Sequence, residues 1–107
     1  MSWLRACRLE DLPVGQSTTV DLAEEELLVC RTGETEVYAV DDRCTHDDGP
    51  LGEGRLEGII VECPRHGARF DVRTGAVLRL PAASPLETYP VRLSDDGWVE
   101  VNVEEDA

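Results

Sequence analysis

Both histidines of this 107-residue chain follow a cysteine at a distance of two or three residues. The two pairs are Cys44-x-His46 and Cys63-x-x-His66, with sixteen residues between them. Each pair lies beside glycine or proline, in a loop that follows a strand-like segment. Two thiolates and two imidazoles make a complete soft-to-borderline ligand set for a metal centre. The pattern therefore favours a fold in which two hairpin-like loops meet and hold one centre between them.

The motif alone leaves three interpretations of these four residues open. In zinc fingers with two cysteines and two histidines, like ligands sit together in the sequence. Here each loop supplies one cysteine and one histidine, which disfavours a single tetrahedral zinc relative to an iron-sulfur cluster. The third interpretation, unconnected core thiols and surface histidines, leaves the pairing of both histidines with cysteines unexplained.

The length predicts a single domain over residues 1–107, because domains typically hold about 100 to 150 residues. The chain carries 23 acidic and 10 basic residues, a net charge of −13. This charge argues against binding to nucleic acid or to an anionic membrane surface. It either serves solubility or steers the protein towards a basic protein partner.

The sequence also predicts the cellular compartment of the protein. No apolar run approaches the length of a membrane span, and "MSWLRACRLEDL" lacks the apolar core of a signal peptide. We therefore expect a cytoplasmic protein, whose four cysteines are thiols or metal ligands rather than disulfides. Cys7 and Cys30 fall in strand-like segments with apolar neighbours and are interpreted as buried structural thiols.

Short apolar or alternating runs between proline, glycine and aspartate predict an all-β fold of several small antiparallel sheets. "LEDLP" is expected to form one helical turn, "LAEEELL" a solvated turn that enters a strand, and the tail "EEDA" a frayed end. A loop-rich subdomain at about residues 43–86 is expected to be inserted in the β framework. The candidate strands are Trp3–Cys7, Ser17–Leu22, Glu26–Arg31, Val37–Val40, Gly58–Glu62, Ala68–Asp71, Ala76–Leu80, Glu87–Leu93 and Trp98–Val103.

At "CTH" and "CPRHG" the sequence resembles the Rieske iron-sulfur family, whose signature is C-x-H followed by C-x-x-H. "FDVRTGAVLRLPA" and "LETYPVRL" extend the resemblance to the small Rieske ferredoxins of bacterial ring-hydroxylating oxygenase systems. The resemblance implies one 2Fe-2S cluster, with Cys44 and Cys63 on one iron and His46 and His66 on the other. It also implies that the histidine edges lie at the surface. Neutral imidazoles raise the reduction potential of such clusters to between about −150 and +300 mV.

The resemblance also indicates where the potential is tuned. High-potential members carry a cysteine in each ligand loop, joined as a disulfide, and serine and tyrosine hydroxyls near the cluster. The corresponding positions here are Gly49, Arg65, Ala68 and Phe70, none of which supplies these groups. With Asp47 and Asp48 beside a ligand loop as well, we expect a low potential.

Some nearby loop residues have two interpretations. Pro81 either belongs to a loop that covers the cluster or ends a strand. Gly49, Gly52 and Gly54 are interpreted as turn glycines, with the alternative that their N–H groups point at the bridging sulfides.

The function implied by the resemblance is a one-electron carrier from a flavin reductase to a terminal oxygenase, a monomer when free. Alternatives are a permanently docked subunit, such as the small subunit of a nitrite reductase, or a ferredoxin of iron-sulfur cluster assembly. The chain is not expected to be an enzyme by itself, because the mononuclear iron site of an oxygenase needs two more histidines. None remain once His46 and His66 bind the cluster.

Overall fold

The structure is a computed structural model that describes residues 2–44, 49–52, 54–64, 67–80 and 84–103. Within these ranges the chain forms short strands and one 3-10 turn, Leu9–Asp11. No helix among the described residues is both long enough and apolar enough to span a bilayer. The strands are β1 Ser2–Arg8, β2 Ser17–Leu22, β3 Glu25–Arg31, β4 Val37–Asp41, β5 Arg55–Glu57, β6 Ile60–Glu62, β7 Arg69–Asp71, β8 Val77–Arg79, β9 Thr88–Tyr89, β10 Val91–Leu93 and β11 Trp98–Val103.

The strands form three antiparallel sheets, which confirms the predicted all-β class. The outer sheet has the order β1-β11-β10, and the middle sheet has the order β2-β3-β4-β9. The ligand sheet has the order β5-β6-β7-β8 and is built from residues that lie between β4 and β9 in the sequence. All of its strands fall within residues 43–86. That this segment is a subdomain of a single-domain chain stays a prediction.

The middle sheet is buried on both faces, and its β3 shows why. Four successive residues of β3, Leu27–Cys30, are fully buried, and their side chains alternate between the faces of the sheet. Leu27 and Val29 pack with Val99, Val101 and Val103 of the outer sheet. On the opposite face, Leu28 and Cys30 join the core cluster that contains the two predicted cysteine ligands. The middle sheet therefore has buried side chains packed against each of its faces.

The predicted strands agree with the structure where apolar and polar residues alternate clearly. Both β2 and β11 have the predicted bounds. The predicted strand Glu87–Leu93 is wrong as one element, because Pro90 divides it into β9, which pairs with β4, and β10, which pairs with β11. Proline lacks the N–H that a continuous ladder needs.

Two further differences concern the ligand sheet. The predicted strand Gly58–Glu62 begins only at Ile60, because Gly58 adopts a φ of +58° in the turn between β5 and β6. Strand β5 itself was not predicted. It has three residues, of which only Leu56 is half-buried, so it offers no apolar pattern.

The expected turns are confirmed. The 3-10 turn occupies the "LEDLP" segment, and "LAEEELL" contains a two-residue turn that leads into β3. In that turn Ala23 and Glu24 both have positive φ, +49° and +69°. Glu24, Glu25 and Glu26 are exposed, as expected for a solvated turn. The tail 104–107 lies outside the described residues.

A hydrogen bond between Tyr89 and Asp41 secures β9 against the end of β4. The Tyr89 hydroxyl donates to Asp41 Oδ1 at 2.7 Å. Burial, followed by this bond, raises the pKa of Tyr89 well above its ordinary value of 10.0. The folded state therefore binds the phenolic proton more tightly than the unfolded state. This contribution to stability is fully present below about pH 10 and declines as the pH rises further.

We predict that Tyr89→Phe makes stability less dependent on pH in the alkaline range. The variant should lose about 0.5 to 1.5 kcal/mol at neutral pH, because Asp41 loses its donor. Above about pH 10, its free energy of unfolding should fall less steeply than that of the wild type. Urea unfolding at several pH values measures both effects. Identical alkaline slopes for the two proteins would show that Tyr89 does not couple ionisation to folding.

Candidate metal centre

The two predicted cysteine ligands lie where strands end. Cys44 stands three residues beyond the end of β4, and Cys63 follows β6 directly. Their exposed fractions are 0% and 1%, and neither forms a disulfide. Both belong to the same core cluster. The structure therefore brings these two thiols into one buried region. His46 and His66 lie outside the described residues, so their place at the centre stays a prediction.

Both cysteine loops are closed by the same kind of backbone hydrogen bond. The Cys44 N–H donates to the carbonyl of Gly49 at 2.8 Å, and the Cys63 N–H donates to the carbonyl of Ala68 at 2.7 Å. Each bond spans five residues. In each loop, the cysteine before the histidine-bearing segment is therefore hydrogen-bonded to the residue that follows the segment. In the second loop, Gly67 has a φ of +75° and its N–H donates to the Cys63 carbonyl.

The described residues that pack with the two thiols in their core cluster are apolar. Ala68 and Phe70 are fully buried in the shared cluster, at two of the positions predicted to lower the potential. Neither side chain can donate a hydrogen bond to sulfur. The remaining members of the cluster are Leu28, Cys30, Val40, Leu51, Val61, Val72 and Leu86.

The donor set fits an iron-sulfur cluster. Two buried thiols from separate loops supply the soft thiolate ligands that iron-sulfur clusters use. Among the described residues, no three cysteine, histidine or acidic side chains are grouped so that they could bind a metal ion. The two histidines that would complete the ligand set are not among them.

The other two cysteines differ from one another. Cys30 is fully buried, as expected, and burial followed by the charge of Asp42 raises the pKa of its thiol to about 12. Cys7 is only half-buried, so the expectation that it is a buried thiol is wrong. It follows a shift in register after Arg5, in β1, which is an edge strand of the outer sheet formed by the described residues. Burial and the charge of Asp11 raise the pKa of Cys7.

Two of the three glycines interpreted as turn glycines, Gly52 and Gly54, have N–H groups that are engaged within the protein. Gly52 donates to Asp42 Oδ1 at 2.7 Å, and Gly54 donates to the carbonyl of Leu51 at 2.9 Å. The alternative that these two groups point at bridging sulfides is therefore wrong. The backbone of Glu62 also lies close to Gly54, since a Cβ at Gly54 would lie 1.9 Å from the Glu62 carbonyl oxygen.

One residue of the site was missed in the sequence. Asp42, two positions before Cys44, has an exposed fraction of 6% and accepts the Gly52 hydrogen bond. In the sequence it is only an aspartate that precedes a ligand loop, and aspartate is common at turns.

The charged surface near the loops is only partly described. Glu24, Glu25, Glu26 and Asp41 line an open hollow of about 400 Å³ together with Asp42 and Arg43. Arg69 pairs with Glu62 at 3.5 Å. Four charged residues near the loops, Asp47, Asp48, Glu53 and Arg65, lie outside the described residues, as does Pro81.

The fold and the site define a small all-β protein whose buried cysteines lie in two loops carried by the middle and ligand sheets. The family model of the Rieske [2Fe-2S] domain matches residues 2–90. The chain belongs to this Rieske [2Fe-2S] domain family.

Individual proteins resemble the chain over nearly its full length. The 3-phenylpropionate/cinnamic acid dioxygenase ferredoxin subunit of Photorhabdus laumondii is 44% identical, over 99% of each chain. The ferredoxin of carbazole 1,9a-dioxygenase from Nocardioides aromaticivorans IC177 is 33% identical, with a TM-score of 0.91 over 97% of this chain and 100% of that one. A putative NADH-dependent nitrite reductase small subunit from Mycobacterium tuberculosis is 22% identical, with a TM-score of 0.85 over 97% of each chain. At that identity the likeness shows the fold alone.

Proposed function

We propose that this chain is a low-potential Rieske ferredoxin that carries single electrons from a flavin-dependent reductase to a terminal oxygenase. The observation that carries the proposal is the end-to-end match, at 44% identity, to a protein named as the ferredoxin subunit of a dioxygenase. The small size and the buried thiols in two loops agree with a carrier of this kind.

In this proposal, Cys44 and Cys63 bind one iron of a 2Fe-2S cluster, and His46 and His66 bind the other. The cluster, when bound, supplies the one-electron chemistry. The chain holds the two thiolate ligands on closed loops and packs them in one core cluster with apolar side chains. Residues 43–86 act as the cluster-binding subdomain, and the protein works in the cytoplasm as a monomer.

The protein has no catalytic site of its own in this proposal. Its two histidines are both assigned to the cluster, so no histidine remains for an oxygen-activating iron. The alternative of a docked nitrite reductase subunit has weaker support, because the likeness at 22% identity shows the fold alone. A carrier should remain monomeric and folded when purified, whereas a docked subunit should expose a large apolar surface and aggregate.

The potential can be tested at the two buried apolar positions. We predict that Ala68→Ser and Phe70→Tyr each raise the reduction potential, because a hydroxyl that donates to sulfur withdraws electron density from the cluster. The wild-type value should lie near the lower end of the range from about −150 to +300 mV. Protein-film voltammetry measures each value.

Val72→Thr provides a matched control for these substitutions. Val72 is buried in the same core cluster, and the change adds a hydroxyl of similar size at a position not assigned to sulfur. Its potential should stay close to that of the wild type. A wild-type potential in the upper half of the range would contradict the assignment of Ala68 and Phe70.

Electron transfer to an oxygenase tests the proposed function. We predict that the bimolecular rate, measured by stopped flow with the terminal oxygenase of a ring-hydroxylating dioxygenase, falls as the salt concentration rises. The net charge of −13 should attract a basic docking surface, and the Debye length shortens to about 10 Å at 0.1 M salt. The double substitution Asp47→Lys with Asp48→Lys should lower the rate at matched driving force.

Two outcomes would contradict this prediction in different ways. A reduced protein that transfers no electrons to the oxygenase would refute the carrier function. Transfer at a rate independent of salt would leave the carrier function standing, and would assign the acidic surface to solubility.

A further inference from the structure

Asp42 is a buried carboxylate that joins three parts of the chain. Its Oδ1 accepts the Gly52 N–H at 2.7 Å, and its Oδ2 accepts the Thr19 hydroxyl at 3.2 Å. Its own N–H donates to the carbonyl of Glu26 at 3.0 Å. A buried carboxylate is costly unless it is hydrogen-bonded, so these partners account for its retention in the fold. They tie the far end of the first cysteine loop to β2 and β3.

Along the sequence, the hydrogen bond from Gly52 to Asp42 spans the backbone hydrogen bond that closes the first cysteine loop. The inner bond joins Cys44 to Gly49, and the outer bond joins Asp42 to Gly52. The two bonds are therefore nested around the segment that contains His46. The inner bond joins the two ends of the segment to one another, whereas the outer bond and the Thr19 hydroxyl attach the loop to the middle sheet.

The space beside Asp42 leaves little room for a side chain at residue 52. A Cβ at Gly52 would lie 2.4 Å from Thr19 Oγ1 and 3.4 Å from Asp42 Oδ1. The backbone of Gly52 lies outside the left-handed region, so an alanine would meet no backbone strain there, but its Cβ would have to displace the Thr19 hydroxyl that donates to Asp42. With no side chain, Gly52 donates its N–H to the carboxylate without disturbing the hydrogen bond between Thr19 and Asp42.

The charge of Asp42 also bears on the core that holds the cysteines. The carboxylate is buried two residues before Cys44 and is bonded to the other side of the Cys44 loop, and its charge also raises the pKa of Cys30 in the same core cluster. In a region of low dielectric, a negative charge makes the addition of an electron to a neighbouring centre less favourable.

We propose that Asp42 is a positioning residue for the iron-sulfur centre: its hydrogen bonds hold the ends of the Cys44 loop, and its charge keeps the reduction potential low. The inference rests on the proposed function, because it assigns the centre to the two cysteine loops. The two roles can be separated, because an amide side chain can replace the hydrogen bonds of the carboxylate but not its negative charge.

Two substitutions of Asp42 separate these roles in the cluster-loaded protein. Asp42→Ala removes both acceptors, and the visible absorbance of the cluster should be lost to a chelator about tenfold faster than in the wild type. Asp42→Asn keeps an acceptor for Gly52 and a polar partner for Thr19. It should retain the cluster almost as long as the wild type, with a higher reduction potential in voltammetry.

A second pair of variants tests the geometry without changing Asp42. Gly52→Ala should accelerate cluster loss, because its methyl group meets Thr19 Oγ1. Thr19→Ala alone removes one hydrogen bond and should have a small effect. The double variant should retain the cluster longer than Gly52→Ala, since the obstructing hydroxyl is absent. A double variant no better than Gly52→Ala would overturn the proposed geometry.

The remaining outcomes are also decisive. Wild-type cluster retention in Asp42→Ala would overturn the positioning role, and a wild-type potential in Asp42→Asn would overturn the role of the charge. A wild-type protein without iron and sulfide would refute the proposed function instead. Amide hydrogen exchange would then still test the loop attachment, because Asp42→Ala should accelerate exchange at Gly52 and leave Val29 in β3 unchanged. Unchanged exchange at Gly52 would overturn it.

Discussion

Cys44→Ala and Cys63→Ala are each expected to give a colourless protein that contains no stable 2Fe-2S cluster. A cluster bound by two thiolates and two imidazoles loses a quarter of its ligands with each change, and both thiols are fully buried where water cannot easily replace them. His46→Ala and His66→Ala should have the same result. Visible absorbance, together with iron and acid-labile sulfide assays, measures the loss. The wild type should contain iron and sulfide in equal amounts.

Cys30→Ala is the matched control. Cys30 is as buried as Cys44 and belongs to the same core cluster, so its removal should destabilise the fold slightly while the colour and the EPR signal persist. Loss of colour in Cys30→Ala would contradict the ligand assignment. A colourless wild-type protein with one bound zinc would reject the cluster altogether and restore the zinc interpretation of the motif.

Gly75→Ala is expected to destabilise the fold strongly. Gly75 has a φ of +78°, and a Cβ there would lie 2.1 Å from the carbonyl oxygen of Leu86. The Leu86 N–H also donates to the Gly75 carbonyl at 2.8 Å, so the two backbones cannot separate without losing this bond. Left-handed backbone strain and the steric clash together should cost about 3 to 5 kcal/mol. Urea unfolding of the purified protein measures the loss.

Gly15→Ala separates the two causes. Gly15 has a similar φ of +85°, but nothing lies within 4 Å of the position that its Cβ would occupy. It should lose only about 1 to 2 kcal/mol, the cost of the backbone conformation. Equal losses in the two variants would show that the contact with Leu86 is unimportant. Since Leu86 packs in the core cluster with both cysteines, Gly75→Ala should also shorten the lifetime of the bound cluster.

The sequence was most informative where one residue type has few alternatives. The two Cys/His pairs predicted the ligand set and, by resemblance, the family, and the structure places the two cysteines in one buried cluster. The strands β2 and β11 were predicted with the right bounds, because their apolar residues alternate with polar ones. Pro90 could have been used in the same way to divide the predicted strand Glu87–Leu93.

The features that were missed depend on contacts between distant parts of the chain. Strand β5 is defined by its pairing with β6, because its own residues are mostly exposed. Asp42 is bonded to Gly52, ten residues further on, and to Thr19, twenty-three residues earlier. Cys7 resembled a core residue in the sequence, but lies in a strand at the edge of its sheet. No local pattern carries this information.

The double burial of the middle sheet limits how such a module can be recombined with other proteins. Leu28 and Cys30 belong to the framework by sequence, yet they pack in the cluster that includes Val61 and Phe70 of the ligand sheet. A chimera that received only residues 43–86 would have to offer a host sheet with matching side chains at these positions. Excision of the segment would leave an apolar sheet face in water, where it would promote aggregation. A graft would therefore need β3 and β4 as well as residues 43–86, together with a host surface that covers Leu27 and Val29 on the other face of the sheet.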